Sequence, residues 1–524
     1  MMKTFLKIKS VPKYVWILLL ILVVGIFVRS YNFHDWLRFS PDEARDATYI
    51  SDAILGKANL PLLGPQSGNT AFYLGPLYYQ MEYVSALIFG NFPDKLAYPD
   101  LFFSILAILM LFLYLRRYFS LEVALALDGL FSLSYFAIAT ARFASNPNSI
   151  PFFVLLFLYG LLRLMERENS KKYLWAIAVG VSIGVGIQLH TLLFLTMPLV
   201  AIVVCGYLMY QKNIAWRDIC IALFFFLLMN TGQLNYELHN NGANTLQLFR
   251  GANSESSISS ETFIRNISLI TACQIQANIH TVIAPIDMEK CGDVYNIPRA
   301  IKKSTFVSGA GAIVNGGLMS LQMIFCLIFS IGGYILAWRF FRKEKDLQKR
   351  NFIGLFLFYN LLSLLVMIPV ASQISIHYFN ILIFAPFILL GLWMSLLLEP
   401  TKKHGKKIFF VGITFLFLVN VLFLVQIART YTGKSMSDVN TSVLGEITPM
   451  LDYMIAQSDQ KDLVLIDGAT FYLKRFLKPF EYLSQKVDVR VVRPENNKPF
   501  PFGTKFFYID GTKKNPLRKG ETMN

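Results

Sequence analysis

The chain has 524 residues, of which 55% are hydrophobic and only 16% charged, a balance too apolar for a water-soluble globule. The formal net charge of +16 would suit a nucleic-acid binder, but the bases stand between apolar segments and in no groove-reading motif. Nucleic acid is therefore excluded as a partner, and a multi-span membrane protein whose bases orient it and meet anionic lipid is expected.

At the N-terminus Lys3, Lys7, Lys9 and Lys13 precede an apolar run that closes on Val28-Arg29-Ser30 without a small-residue cleavage pattern, which reads as a retained signal anchor. Apolar windows recur at residues 14–31, 98–115, 120–141, 149–165, 173–189, 191–210, 218–236, 310–338, 351–370, 378–398 and 408–427, giving eleven spans. With a cytoplasmic N-terminus, the inner segments hold Arg116-Arg117, then Arg163, Arg167, Lys171 and Lys172, then Lys212 and Arg217, then six bases between Arg339 and Arg350 and four between Lys402 and Lys407. The short outer loops hold Arg142 and almost nothing else, so every crossing obeys the positive-inside rule. The expectation is a multi-pass protein of the plasma (inner) membrane with its C-terminal end outside the cytoplasm.

Residues 72–89 are apolar enough to be mistaken for a span, yet Gly75-Pro76, Glu82 and a cluster of tyrosines and phenylalanines suit a helix lying in the interface. The first outer loop then runs from about residue 32 to 97, and two further outer regions cover 239–305 and everything past 428. In the last region 463–466, 487–492 and 506–509 read as strands and 469–485 as a helix. Two domains are expected: a membrane domain over 1–428 and a small extracytoplasmic α/β domain over 429–524. Cys205, Cys220 and Cys326 fall in apolar spans as packing residues, whereas Cys273 and Cys291 share an outer loop where a disulfide can persist.

Ser40-Pro41-Asp42-Glu43-Ala44-Arg45 places two carboxylates and a guanidinium at the membrane surface just after the first span. Adjacent acids on a helix diverge by about 100°, so one is the candidate base and the other its support. Helix capping is the plainer reading, with Ser40 as cap, Pro41 in the first turn and acids beside the positive helix end. Other outer positions are Arg142 in Arg142-Phe-Ala-Ser-Asn146-Pro-Asn148, His190, Glu237, and His377-Tyr378. The histidines and Tyr378 stand at span ends where they could line one cavity, or serve only as interfacial residues. Tyr78 and Tyr79, with Phe72 and Tyr73, either stack on a sugar or prenyl chain or form an interfacial belt. Asp128 lies inside the third span, where a structural partner within the bundle is expected.

A first span followed by Pro-Asp-Glu-Ala-Arg, then Gly75-Pro76-Leu77-Tyr78-Tyr79, then Arg142 to Asn148 opening the fourth span, resembles the GT-C membrane glycosyltransferases. The likeness is to the branch of protein O-mannosyltransferases and aminoarabinose-to-lipid-A transferases. It implies an α-helical GT-C-like fold and an inverting transfer of a sugar from a polyprenyl-phosphate carrier to a glycan, lipid or protein acceptor in the cell envelope. By this resemblance Asp42 is the general base and Glu43 its support, while Arg45 and Arg142 compensate the leaving phosphate. Tyr78, Tyr79, Asn146, Asn148, His190, Glu237, His377 and Tyr378 are then substrate-binding candidates. Asn146 and Asn148 depart from the acidic second-loop motif of many relatives; this weakens the case for a divalent metal, although Glu43 and His190 could still act as ligands. The rival readings are a transporter or flippase of a lipid-linked sugar and a non-catalytic relative.

Overall fold

The computed structural model describes residues 12–68, 70–254, 260–283, 309–399, 403–432, 443–458, 463–468, 470–493 and 506–509. Helix α1 (Lys13–Ser30) leads into α2 (Pro41–Ile54) and α3 (Leu77–Phe89), after which long helices resume with α4 (Tyr98–Leu115), α5 (Leu121–Leu133), α6 (Ile150–Met165), α7 (Lys172–Leu189) and α8 (Thr191–Tyr210). They are followed by α9 (Trp216–Met229), α10 (Thr231–His239), α11 (Ala243–Ser254), α12 (Ser260–Val282), α13 (Gly309–Lys343), α14 (Leu347–Met367), α15 (Ala385–Leu397) and α16 (Gly405–Thr432). Among the described residues, eight helices are long and apolar enough to cross a membrane, and ten if each of two bent pairs is one span.

Ten of the eleven expected windows are thereby accounted for. The remaining one, 120–141, is helical but broken: α5 ends at Leu133, and a short helix, Tyr135–Ala139, restarts beyond Ser134. Helix α3 has 13 residues, about 20 Å at 1.5 Å per residue and too short for a hydrocarbon core of about 30 Å. Its exclusion from the spans holds.

The region 239–305 differs from the expected outer loop. Its α12 enters the bundle, with Asn266, Gln274, Asn278 and Thr281 all buried. Asn266 donates to the Ile368 carbonyl (3.0 Å), Gln274 to the Tyr334 hydroxyl (3.1 Å) and Asn278 to Ser330 Oγ (3.2 Å). Ser134, at the break after α5, donates to the Thr281 carbonyl (2.7 Å), and Asn420 of α16 donates to that of Val282 (2.9 Å). A polar helix is tolerated there because these amide N–H groups are met by neighbouring helices. Cys273 on α12 is disulfide-bonded, while Cys291 lies outside the described residues.

Close packing sets the rest of the bundle. A Cβ on Gly180 would collide with the Ala222 backbone, and one on Gly184 would come within 2.8 Å of Met229 Cβ, so this small-xxx-small pair lets α7 and α9 approach backbone to backbone. Asn230 marks the bend of 69° between α9 and α10, its amide donating to the carbonyls of Gly184 (3.2 Å) and Phe226 (2.8 Å). Asp128 is fully buried beside the charge of Arg29, and neither of its oxygens accepts a hydrogen bond among the described residues. The expected partner is thus a charge and not a contact.

Beyond α16 lie α17 (Leu444–Gln457) and α18 (Thr470–Ser484), with a parallel sheet of order β2-β1-β3 built from β1 (Leu463–Gly468), β2 (Arg490–Val492) and β3 (Phe506–Ile509). This is the α/β pattern expected from the sequence. The unit joins the first loop directly: Arg38 and Val443 form an antiparallel bridge, and the amides of Leu444 and Gly445 donate to the carbonyls of Leu37 (2.8 Å) and Asp35 (2.9 Å). Helix α18 packs on α2, where Tyr482 reaches the Asn91 carbonyl (2.5 Å) and Lys486 reaches Ser51 (3.2 Å).

Candidate functional site

Pro41 opens α2 and Ser40, in extended conformation, caps it. Glu43 completes a capping box: one of its oxygens accepts from the Ser40 amide (2.8 Å) and contacts the Ser40 hydroxyl, and the other takes the Arg38 guanidinium at 2.9 Å. Glu43 is buried with both oxygens occupied, which makes it a brace for the loop. Asp42, one residue earlier, is 81% exposed and, among the described residues, is held by Arg45 alone, at 3.1 Å. The capping reading therefore belongs to Glu43, and the divergence of adjacent side chains leaves Asp42 free to meet a substrate.

Arg45 bridges two acids, donating through Nε to Asp46 at 2.8 Å as well as to Asp42. Asp46 also accepts from the Tyr79 hydroxyl (3.0 Å). Burial pushes its carboxyl up to about 6 against the pull of Arg45. Tyr78 donates to Asp100 (3.0 Å), which accepts further from Ser149 Oγ (2.6 Å) and the Ser145 amide (3.1 Å). Both tyrosines are thus tied into a buried acidic floor under α2, completed by Glu82, and they do not form an exposed belt. Burial, reinforced by the charges of Asp46 and Asp100, raises the Glu82 carboxyl far above its usual range.

Arg142 sends Nη1 to the Arg29 carbonyl (2.8 Å) and Nη2 to the Asn32 carbonyl (3.0 Å), with its guanidinium over the rings of Phe33 and Trp36. It closes the end of α1 and neither snorkels nor stands ready as a bare charge. Asn146 donates to the Leu189 carbonyl (2.7 Å) and Asn148 to that of Phe143 (2.8 Å), so these amides shape the loop that precedes α6. His190 caps α8, its Nδ1 accepting from the Leu192 amide at 3.1 Å, which leaves the hydrogen on Nε2. Burial and the neighbouring His377 hold His190 down at about 4, hence neutral. The His190 ring lies 4.9 Å from that of Tyr378, which in turn lies 4.7 Å from that of His377.

Glu237 is placed elsewhere: it accepts from the amide (2.8 Å) and hydroxyl (2.7 Å) of Thr245 at the start of α11, a capping role. That helix is pinned to Tyr73 through Asn244, whose Oδ1 accepts from the Tyr73 amide (2.8 Å) and whose Nδ2 donates to the Tyr73 carbonyl (2.9 Å).

Three features were missed from the sequence. Arg38 stands four residues before Asp42, with its guanidinium 3.9 Å from the Phe143 ring centre and its charge acting on His377. Its Nε is buried without a hydrogen-bond partner among the described residues. Asp46, one helical turn after Asp42, was signalled by the i, i+4 spacing. Asp100 was signalled by its place in the first turn of an apolar span. No group of three or more His, Cys, Asp or Glu suited to a metal ion exists among the described residues, and Glu43 has no free oxygen for one. The pairing of Glu43 and His190 as ligands is not supported by these positions.

Residues 75–230 match the family model described as dolichyl-phosphate-mannose-protein mannosyltransferase. No curated protein matches the chain. Among solved structures, the chain is similar to ArnT from Cupriavidus metallidurans in the apo state, with a TM-score of 0.51 and 13% identity over 93% of this chain and 87% of that one. It is equally similar to the same protein bound to undecaprenyl phosphate, at TM-score 0.51 and 12% identity over 93% and 86% of the two chains. The GT-C-like fold expected from the sequence is borne out along nearly the whole chain, and the glycosyltransferase class is borne out by the family matched over residues 75–230.

Proposed function

We propose that this protein moves a sugar from a polyprenyl-phosphate carrier to an acceptor hydroxyl, with inversion, on the face of the membrane that holds α2. The observation that carries the reading is Asp42: an exposed carboxylate in the first turn of α2, oriented by Arg45, while Glu43, Asp46 and Asp100 are buried and occupied. The family match and the ArnT-like fold supply the chemical class, and undecaprenyl phosphate in one ArnT structure supplies the donor class.

In this reading Asp42 accepts the acceptor's hydroxyl proton as its oxygen bonds to the anomeric carbon, and the bond from that carbon to the phosphate oxygen breaks on the opposite face. The departing phosphate keeps the electron pair and gains charge. Arg38 and Arg45, each ion-paired to an α2 carboxylate yet 39% and 32% exposed, are the guanidiniums placed to meet it, beside the positive end of α2. Arg142, with both terminal nitrogens on carbonyls, holds the end of α1 and thereby positions Arg38, whose amide donates to the Arg142 carbonyl at 3.3 Å. His190, His377 and Tyr378 border the same cradle and bind the sugar or phosphate. Tyr78, Tyr79, Asn146 and Asn148 shape it from below, and Glu237 holds the α11 segment beside it. Residues 1–428 form the transferase domain and 429–524 an extracytoplasmic domain, with the N-terminus in the cytoplasm and the site outside, in agreement with the distribution of bases.

The test is transfer of label from a panel of polyprenyl-phosphate sugars to endogenous acceptors in membranes carrying wild type or Asp42→Asn. Loss of about 100-fold or more in the variant, at equal protein, is the expected result for a missing base. Wild-type rates in the variant would remove Asp42 from that role, and absence of transfer by wild type with every donor would favour a transporter or a non-catalytic relative.

A further inference from the structure

A second polar concavity lies at the other end of the bundle. Helix α4 starts beside the acidic floor under α2 and runs 18 residues, or about 27 Å, before Arg116 and Arg117. There, between the ends of α4 and α6 and the start of α14, a cavity of about 640 Å³ opens. Four bases line it, Arg117, Arg163, Arg167 and Lys171, against two carboxylates, Glu166 and Glu168.

The charges are not balanced within the protein. Glu166 is shared by two guanidiniums, accepting from Arg163 Nη1 at 2.6 Å and contacting Arg117. Arg163 is held further by the Trp175 ring, 5.3 Å away, yet its Nε is buried without a hydrogen-bond partner among the described residues. Arg167 and Lys171 are exposed and form no ion pair among the described residues. Bases in a loop suffice to orient a membrane protein. Orientation requires neither a cavity nor a buried, unmet N–H, which is costly when left empty.

We propose that this cavity binds a phosphate oxyanion, presented by the headgroup of an anionic phospholipid of the adjacent leaflet. A phosphate fits the donors: guanidiniums give it paired N–H bonds, and Lys171 adds a flexible charge at the rim. The lipid source follows from the other walls. Leu162, Met165 and Leu347 supply an apolar surface for the glycerol and first methylenes, at the depth where spanning helices meet headgroups. A bound headgroup adds a polar tie among the ends of α4, α6 and α14, where Glu166 joins only Arg117 to Arg163 and Tyr118 stacks on Phe352 at 5.4 Å. This site is independent of the transfer chemistry at the opposite end.

The experiment uses the full chain in nanodiscs of phosphatidylcholine, of phosphatidylcholine mixed with phosphatidylglycerol, and of phosphatidylcholine in inorganic phosphate buffer. Retained lipid is counted by native mass spectrometry, and thermal unfolding is followed in parallel. Phosphatidylglycerol is expected to be retained and to raise Tm, with the double variant Arg167→Gln, Lys171→Gln binding it about 30-fold more weakly. The control pair Lys406→Gln, Lys407→Gln removes two exposed bases from the same end of the bundle and is expected to bind as wild type. Equal retention by wild type and the first double variant, or an equal loss in the control pair, overturns the proposal. Full stabilisation by inorganic phosphate without phosphatidylglycerol upholds the anion site and makes free phosphate its occupant.

Discussion

The adjacent acids Asp42 and Glu43 meet opposite fates because a helix turns by about 100° per residue. Glu43 faces back toward Ser40 and Arg38, and Asp42 faces outward with Arg45. Glu43→Gln is accordingly expected to weaken the loop through lost charge pairing and to cost about 1–3 kcal/mol, read as a lower Tm with partial activity retained. Arg38→Gln removes a guanidinium proposed to meet the phosphate and should slow turnover about 100-fold or more, measured as kcat at saturating donor. Glu82 carries a different expectation. Its folded carboxyl is raised by burial first and by Asp46 and Asp100 second, so the folded state holds this proton more tightly than the unfolded state does. The resulting stability is complete below the unfolded value of 4.5 and is lost as pH rises toward the folded one. Glu82→Gln should therefore raise Tm at pH near 7.5 and leave it unchanged near pH 4. A Tm of the variant below wild type at the higher pH would mean that an ionised Glu82 stabilises the fold.

At the scale of elements, the breaks matter as much as the helices. The stop after Leu133 frees the Ser134 hydroxyl to meet the α12 carbonyl of Thr281, and the bend at Asn230 is held by amide contacts to α7 and α9. Gln188 of α7 extends the same junction, its Nε2 donating to the Met229 carbonyl (2.8 Å) and its Oε1 accepting from the Leu77 amide (3.1 Å) at the start of α3. The approach of α7 to α9 depends on hydrogen at two Cα positions. Gly180→Val has no room against the Ala222 backbone, and a loss of about 1–3 kcal/mol with a lower yield of folded protein is expected. Gly206→Ala, with nothing within 4 Å of its added carbon, is the matched control that should leave Tm unchanged.

For the whole molecule, the C-terminal unit is in direct contact with the first-loop segment that carries Arg38. Leu37, Arg38 and Phe39 are held from the far side by Val443, Leu444 and Tyr482, whose ring lies 5.6 Å from that of Phe39. A Cβ on Gly445 would stand 2.9 Å from Asp35 Cβ and from its carbonyl oxygen, so Gly445→Val should push the Arg38 segment off its register. The expected outcome is a fall in kcat larger than any change in donor KM, with the bundle still folded. An unchanged kcat would show that the C-terminal unit does not hold Arg38 in place for turnover.

Hydropathy and charge spacing by themselves determined the membrane class and nearly every membrane-spanning helix. Lipid imposes length and apolarity on each span independently of its neighbours, so a local window contains the necessary information. The strands at 463–466 and 506–509 were legible for a similar reason, since buried parallel strands are continuous apolar runs. The motif around Asp42 was also legible, as capping chemistry and charge are local. Tertiary structure alone decided that the polar α12 belongs in the bundle, because its amides are tolerated only through partners 52 to 102 residues away along the chain. It likewise decided that Arg142 closes α1, that Glu237 caps α11, and that Arg38 stands beside His377. Each of these depends on which carbonyl or charge lies across a gap in space, and spacing along the chain carries no record of that distance.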